Sequence, residues 1–184
     1  MDIFETIKKR RTVRAYKTIP IDDEMLNAIL DAGRLAPSWH NSQTWRFVVV
    51  KDSKIIAQLL ENAVRPGNRA TNAFKQAPIV IAACAELNKA GFRDGKPATD
   101  KGSYWYMFDA GLAMENIVLA ATSFGLGTVF VGGMDAKQAE NILDVPSGFA
   151  CVILMVLGYP DEQPAPRPKK GLPEIVFQNK FGKN

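Results

Sequence analysis

Arg10, Arg11, Thr12 and Arg14 place three guanidiniums and a hydroxyl within five residues. Such forks grip phosphate or lie against an electron-rich ring, although a solvated charge run has the same composition. A second cluster, Pro37-Ser38-Trp39-His40-Asn41-Ser42-Gln43-Thr44-Trp45, sets two tryptophans among short polar side chains just before an apolar run. The amides of Asn41 and Gln43 can donate and accept at once, which matches the mixed edge of a heterocycle; ordinary turn chemistry accounts for them as well. Third, Gly132-Gly133 follows a short β-branched run ending at Val131. Without a Cβ, that pair lets backbone N–H groups approach a ligand closely, or simply makes a tight turn.

Other chemistries drop out. His40 is the only histidine and no serine stands in a strand-to-helix elbow, so a Ser-His-Asp site is excluded. Cys84 and Cys151 each sit inside an apolar run, with no second cysteine or histidine at ligand spacing, so no soft-metal site is expected. They read as buried, reduced structural thiols of a cytoplasmic protein. No Walker A sequence occurs, and Gly125-Leu126-Gly127 continues as Thr128-Val129, which breaks the G-x-G-x-x-G pattern and leaves a helix stop. The net charge of +4 and pI of about 9.1 suit an anionic ligand. The basic residues form two small groups, Lys8 to Arg14 and Arg167 to Lys170, rather than a nucleic-acid track. The first 13 residues lack the apolar core of a signal peptide, so export is not expected.

At 184 residues, 47% hydrophobic and 23% charged, the chain is sized for one domain with an extended arm. Ile3, Phe4 and Ile7 share a face of a short opening helix that ends before the arginines. Asp22 is set to cap a helix that stops near Gly33. Residues 47–50 read as a strand, Ser53 as the cap of the next helix, and 66–72 as turn. A strand over 78–84 leads to a glycine- and charge-rich excursion over 89–102, expected to be exposed near the site mouth. Residues 104–124 are apolar on nearly every side; Asp109 and Glu115 inside them argue against a membrane span, so a helix buried all round, in a core or a subunit interface, is expected. A strand over 128–131, a helix capped by Asp135 and a doubly covered strand over 149–157 follow. The proline-rich end is expected to wrap over something else.

Together the segments resemble the nitroreductase family. The resemblance rests on Arg10-Arg11-Thr12-Val13-Arg14-Ala15-Tyr16, on Ala36 to Phe47, on Asp109-Ala110-Gly111 through Gly125-Leu126-Gly127-Thr128, and on Leu157-Gly158-Tyr159-Pro160, in the family's order. It implies an α+β sandwich with a mainly antiparallel sheet flanked by helices. It also implies a homodimer with a long helix at its interface, a single domain over 1–184, and residues 159–184 as an arm embracing the partner. The implied cofactor is FMN, lying between subunits. Arg10, Arg11, Thr12 and Arg14 match positions that hold its phosphate, ribityl chain and ring. Pro37, Ser38, Asn41 and Gln43 match those that reach it from the other subunit. Val131, Gly132 and Gly133 match the stretch over the ring face, and Arg167 and Lys169 the basic tail residues near the phosphate. Thr44 replaces the family's usual proline, and 65–74 gives no match from which to assign a contact. The implied activity is NAD(P)H-dependent reduction of nitroaromatic or quinone-type acceptors by a ping-pong mechanism, with no nucleic-acid or membrane partner. His40 and Trp39 are candidates for the acceptor pocket. The rivals are a family member with another acceptor, such as a reductive dehalogenase, and a non-catalytic FMN store or sensor.

Overall fold

In the computed structural model, which describes residues 2–182, α1 (Ile3–Lys9) and α2 (Asp23–Arg34) precede β1 (Trp45–Val50). Next come α3 (Ser53–Gln58), prolonged by a wide turn over Leu59–Ala63, α4 (Thr71–Gln76) and β2 (Ile79–Glu86). The excursion holds a two-stranded hairpin, β3 (Phe92–Arg93) and β4 (Lys96–Pro97). Then follow α5 (Trp105–Ser123), β5 (Gly127–Val131), α6 (Ala136–Ile142), β6 (Phe149–Gly158) and, in the tail, α7 (Leu172–Ile175).

The main sheet has the order β1-β2-β6-β5 and every neighbouring pair is antiparallel. Its central strands explain the apolar runs: Val80, Ala82 and Cys84 of β2 enter one core, with Ile56 of α3, Leu59 of the wide turn, Phe74 of α4 and Ala139 of α6. Ile79, Ile81 and Ala83 enter the other, with Leu26 and Ile29 of α2 and Met114, Ile117 and Val118 of α5. A strand covered on both faces has no place for a polar residue, so period-2 alternation disappears. The fold is an α+β sandwich of three layers.

Asp22 caps α2 as expected, accepting from the N–H groups of Glu24 and Met25. The helix stops at Arg34, one residue past Gly33, as expected. A Cβ on Gly33 would stand 2.6 Å from Ile117 Cγ1, so the glycine lets α2 and α5 touch. Gly125, at φ 77°, ends α5, and Leu126 N–H returns to Ala121 O at 2.9 Å. The cap of α3 is Asp52, not Ser53: its carboxylate accepts from Lys54 N–H, and Ser53 is the first helical residue. The turn expected over 66–72 gives way at Thr71 to α4.

Within one chain, residues 104–124 are buried on one side only. Ala110, Ala113, Ile117 and Ala121 are fully buried, but Tyr104, Met107 and Phe108 on the opposite side are 71%, 46% and 58% exposed. Ile3, Phe4 and Ile7 of α1 are also exposed, as are Leu172, Ile175, Val176 and Phe181 of the tail. All-round hydrophobicity says that a helix is covered, not what covers it. Among the described residues no helix is long and apolar enough to cross a membrane.

Candidate functional site

The arginine segment is held by its backbone, which leaves its side chains available. Val13 N–H donates to Thr128 O at 3.0 Å and Thr12 bridges Thr128 in parallel, so the segment extends the sheet beside β5. Tyr16 pairs with Pro160, Lys17 N–H donates to Tyr159 O, and the Glu162 carboxylate accepts from the N–H groups of Arg14 and Ala15. Burial pushes the Tyr16 phenol up, so it stays protonated and donates to Val13 O at 2.7 Å. The glycines here are spacing devices: a Cβ on Gly127 would meet Val13 at 2.8 Å, and one on Gly158 would meet Tyr16 at 2.8 Å. Of the three guanidiniums, Arg11 is committed, donating to Lys8 O and Arg10 O at the end of α1. Arg10 has no partner among the described residues, and the buried Nε of Arg14 has none either. A buried guanidinium nitrogen without an acceptor is costly, and an anion is what would satisfy it.

The second cluster folds into a short 3-10 turn, Trp39–Asn41, around a buried carboxylate. Asp109 of α5 is 1% exposed and accepts from Trp39 N–H through both oxygens at 3.1 Å and from Ser42 Oγ at 3.3 Å. Burial raises its pKa above the ordinary aspartate value, against the lowering effect of those donors. Ser38 Oγ accepts from Gln43 N–H at 2.9 Å, and Arg46 donates to Gln43 O at 3.0 Å. The loop is strained: His40, Asn41 and Gln43 have φ of 43°, 57° and 46°. Left-handed backbone is tolerable for asparagine but costs about 1–3 kcal/mol at residues such as His and Gln. The enclosing hydrogen bonds offset that cost, and the result is that Pro37, His40, Asn41 and Gln43 face outward.

Trp39 packs against Trp105 with ring centroids 4.5 Å apart and planes inclined at 49°, and the Trp105 indole N–H donates to Thr99 Oγ1 at 2.9 Å. The 89–102 excursion is thereby pinned to the same loop, and its Ala90 is buried rather than exposed. A cavity of about 320 Å³ between them is lined by Trp39, His40, Ser42, Lys89, Phe92 and Arg93, among others. Thr44 is fully buried with its hydroxyl unpartnered, so it takes no part in a surface site.

β5 ends at Val131, after which Gly132 is exposed and Gly133 half-buried. The carbonyl of Gly133 accepts from Arg65 N–H at 3.0 Å and from Asn68 Nδ2 at 3.3 Å. A Cβ on Gly133 would stand 3.0 Å from Asn68 Nδ2. Residues 65–68, to which no contact is assigned above, therefore support the glycine pair, and the turn formers Pro66-Gly67-Asn68 are the signal that points to them. Arg167 and Lys169 are exposed on the tail, with no partner among the described residues. The fold thus ties Arg10 to Arg14 to β5 and the root of the tail.

This order of parts is matched elsewhere. The sequence profile of the nitroreductase family fits residues 7–159. The chain belongs to that family. Among nitroreductase relatives, a putative NADH dehydrogenase/NAD(P)H nitroreductase of Archaeoglobus fulgidus is 32% identical over 166 residues, covering 88% of this chain and 87% of its own length. The NADPH:FMN oxidoreductase of Vibrio harveyi, solved in complex with NAD+, superposes with a TM-score of 0.82 at 28% identity, over 99% of this chain and 79% of that one. An iodotyrosine deiodinase of Thermotoga neapolitana is 28% identical over 188 residues, covering 96% of both chains.

Proposed function

We propose that this protein is an FMN-dependent oxidoreductase that takes hydride from NAD(P)H and reduces nitroaromatic or quinone-type acceptors in the cytoplasm by a ping-pong mechanism. It works as a homodimer with both sites built between subunits, each chain being one domain whose residues 159–184 form an arm over the partner. The oxidoreductase class follows from the family. The observation that carries the cofactor is the partnerless pair of guanidiniums, Arg10 and Arg14, on a segment fixed to β5, whose other end opens at Gly132-Gly133. The exposed apolar face of α5 and the apolar tail support the two-subunit arrangement.

These residues fit the cofactor. Arg10 and Arg14 would take its phosphate, with Arg167 and Lys169 closing over it from the tail. Arg11 and Thr12 would lie along the ribityl chain and ring. Val131, Gly132 and Gly133 would lie over the ring face, where the absent Cβ permits close approach. Pro37, Ser38, Asn41 and Gln43 would reach the ring edge from the partner subunit. FMN when bound supplies the hydride chemistry at its N5; the chain supplies orientation and a positive field that favours the reduced, more negative cofactor. Trp39 and His40 would form an aromatic wall for a flat acceptor.

Titration with FMN and riboflavin tests the assignment. Native protein should prefer FMN, and Arg10→Ala, which lacks one phosphate contact worth about 1.5–3 kcal/mol, should lose roughly 10- to 150-fold in FMN affinity and much of that preference. Equal affinity of the native protein for both flavins would remove the arginines from the phosphate site. NADH and NADPH oxidation by FMN-loaded protein then separates an enzyme from a flavin store. The deiodinase relative makes halogenated phenols a second acceptor class, which belongs in the acceptor panel beside nitroaromatics and quinones.

A further inference from the structure

Away from these residues, the α3–α6 side of the sheet holds two thiols in an arrangement that the proposed reaction does not use. Cys84 on β2 and Cys151 on β6 stand directly opposite one another, next to a register shift between Ala83 and Cys84. Both side chains are buried in the same core cluster, so they lie on the same face of the sheet. Cys151 N–H donates to Glu140 Oε1 at 2.9 Å, away from β2. The Cys84 and Cys151 thiols interact directly, and residues opposed in an antiparallel ladder have Cα atoms about 4.5–5.5 Å apart. That spacing falls in the range of roughly 4.4–6.8 Å that a disulfide requires.

The pair is not symmetric. Cys84 borders a cavity of about 290 Å³ walled by Arg46, Val48, Leu143, Val145 and Phe149, among others. Cys151 does not reach that cavity and instead lies beside the Glu140 carboxylate, which Lys137 also holds. The interaction with the Cys151 thiol lowers the Cys84 pKa, while that interaction, burial and the Glu140 charge raise that of Cys151. Cys84 is thus the sulfur that a small molecule meets first and the one with more thiolate character.

We propose that Cys84 and Cys151 form a two-thiol oxidation site, opening on this cavity, that a small peroxide converts to a disulfide between β2 and β6. The Cys84 sulfur attacks one peroxide oxygen; the O–O bond breaks, an S–O bond forms, and the first water leaves with the Cys84 proton. The Cys151 sulfur then attacks the Cys84 sulfenic acid; the S–S bond forms, the S–O bond breaks, and the Cys151 proton leaves with the hydroxyl as a second water. Two thiols give up two electrons in all, and one peroxide is reduced to two waters.

The test is an intact-mass measurement on the full-length protein, exposed to hydrogen peroxide, quenched, denatured and alkylated. Both thiols should become unavailable to the alkylating agent, the mass should fall by two hydrogens, and dithiothreitol should restore both. A peptide map should join the Cys84 and Cys151 peptides of one chain. Cys151→Ser should stop at a Cys84 sulfenic acid that dimedone traps. In Cys84→Ser, Cys151 should react at least about ten-fold more slowly than Cys84 does in Cys151→Ser. Full alkylation of both native thiols after exposure that oxidises free glutathione overturns the proposal, as does a disulfide formed only between chains. If either serine variant fails to fold, the native mass and peptide map decide alone.

Discussion

The inner and outer sides of α5 teach different things. Inward, Ala110, Ala113, Ile117 and Ala121 meet α2 and the sheet, and nothing more is needed to complete that core. Outward, Tyr104, Met107 and Phe108 are as apolar and stay largely exposed among the described residues. One side is completed by the fold, whereas the other is the surface that the proposed dimer would complete. Asp109, between the two, belongs to the first side yet fixes the loop that serves the second.

Damage to the completed side should affect each protomer by itself. Leu154→Ala, in the fully buried centre of β6, should cost about 2–5 kcal/mol in denaturant unfolding, whether or not the protein is dimeric. On the outer side, Phe108→Glu should leave the protomer's circular dichroism unchanged but weaken self-association by roughly 2–4 kcal/mol, read as a shift in the sedimentation isotherm. A Phe108→Glu protein that dimerises normally would break the comparison.

Asp109→Asn sharpens it. The variant keeps the shape but loses one acceptor oxygen, so amide exchange across 38–43 should speed up at a stability cost of roughly 1–3 kcal/mol or less. Its pH dependence has a definite sign. Burial raises the Asp109 pKa in the folded state, so folding favours the protonated form; that contribution is complete below the ordinary aspartate value of about 3.9 and is lost as pH rises through the raised folded value. The stability advantage of native over Asp109→Asn should therefore shrink as pH rises from the acid side, and denaturant midpoints across that range measure it. The smallest effect should come from Thr44→Val, which removes a buried hydroxyl without a partner and should stabilise by roughly 1 kcal/mol, read as a higher melting temperature.

The completed side was legible in the sequence because local rules decide it. Asp22 caps α2, the apolar runs of β2 and β6 mark doubly covered strands, and Gly125 stops α5. Local rules erred where two candidates stood side by side, as with Asp52 and Ser53, or where a short helix followed turn residues, as with α4. Gly33 marks the end of α2, but its contact with Ile117, 84 residues away, is out of reach of any local rule. For the site, residue types disclosed the arginine and tryptophan segments, but not their supports. Asp109 stood in a motif without a role because its partners, Trp39 and Ser42, are joined to it only by folding, and Arg65 and Asn68 meet Gly133 in the same way.

The central claim is a flavin site that exists only between two subunits. Sedimentation velocity of the FMN-loaded protein at low micromolar concentration, followed at both flavin and protein wavelengths, tests it directly. The account predicts one boundary carrying both signals at about twice the 20.2 kDa protomer mass, with flavin released as dilution separates the subunits. A stable monomer boundary that retains its flavin would contradict it.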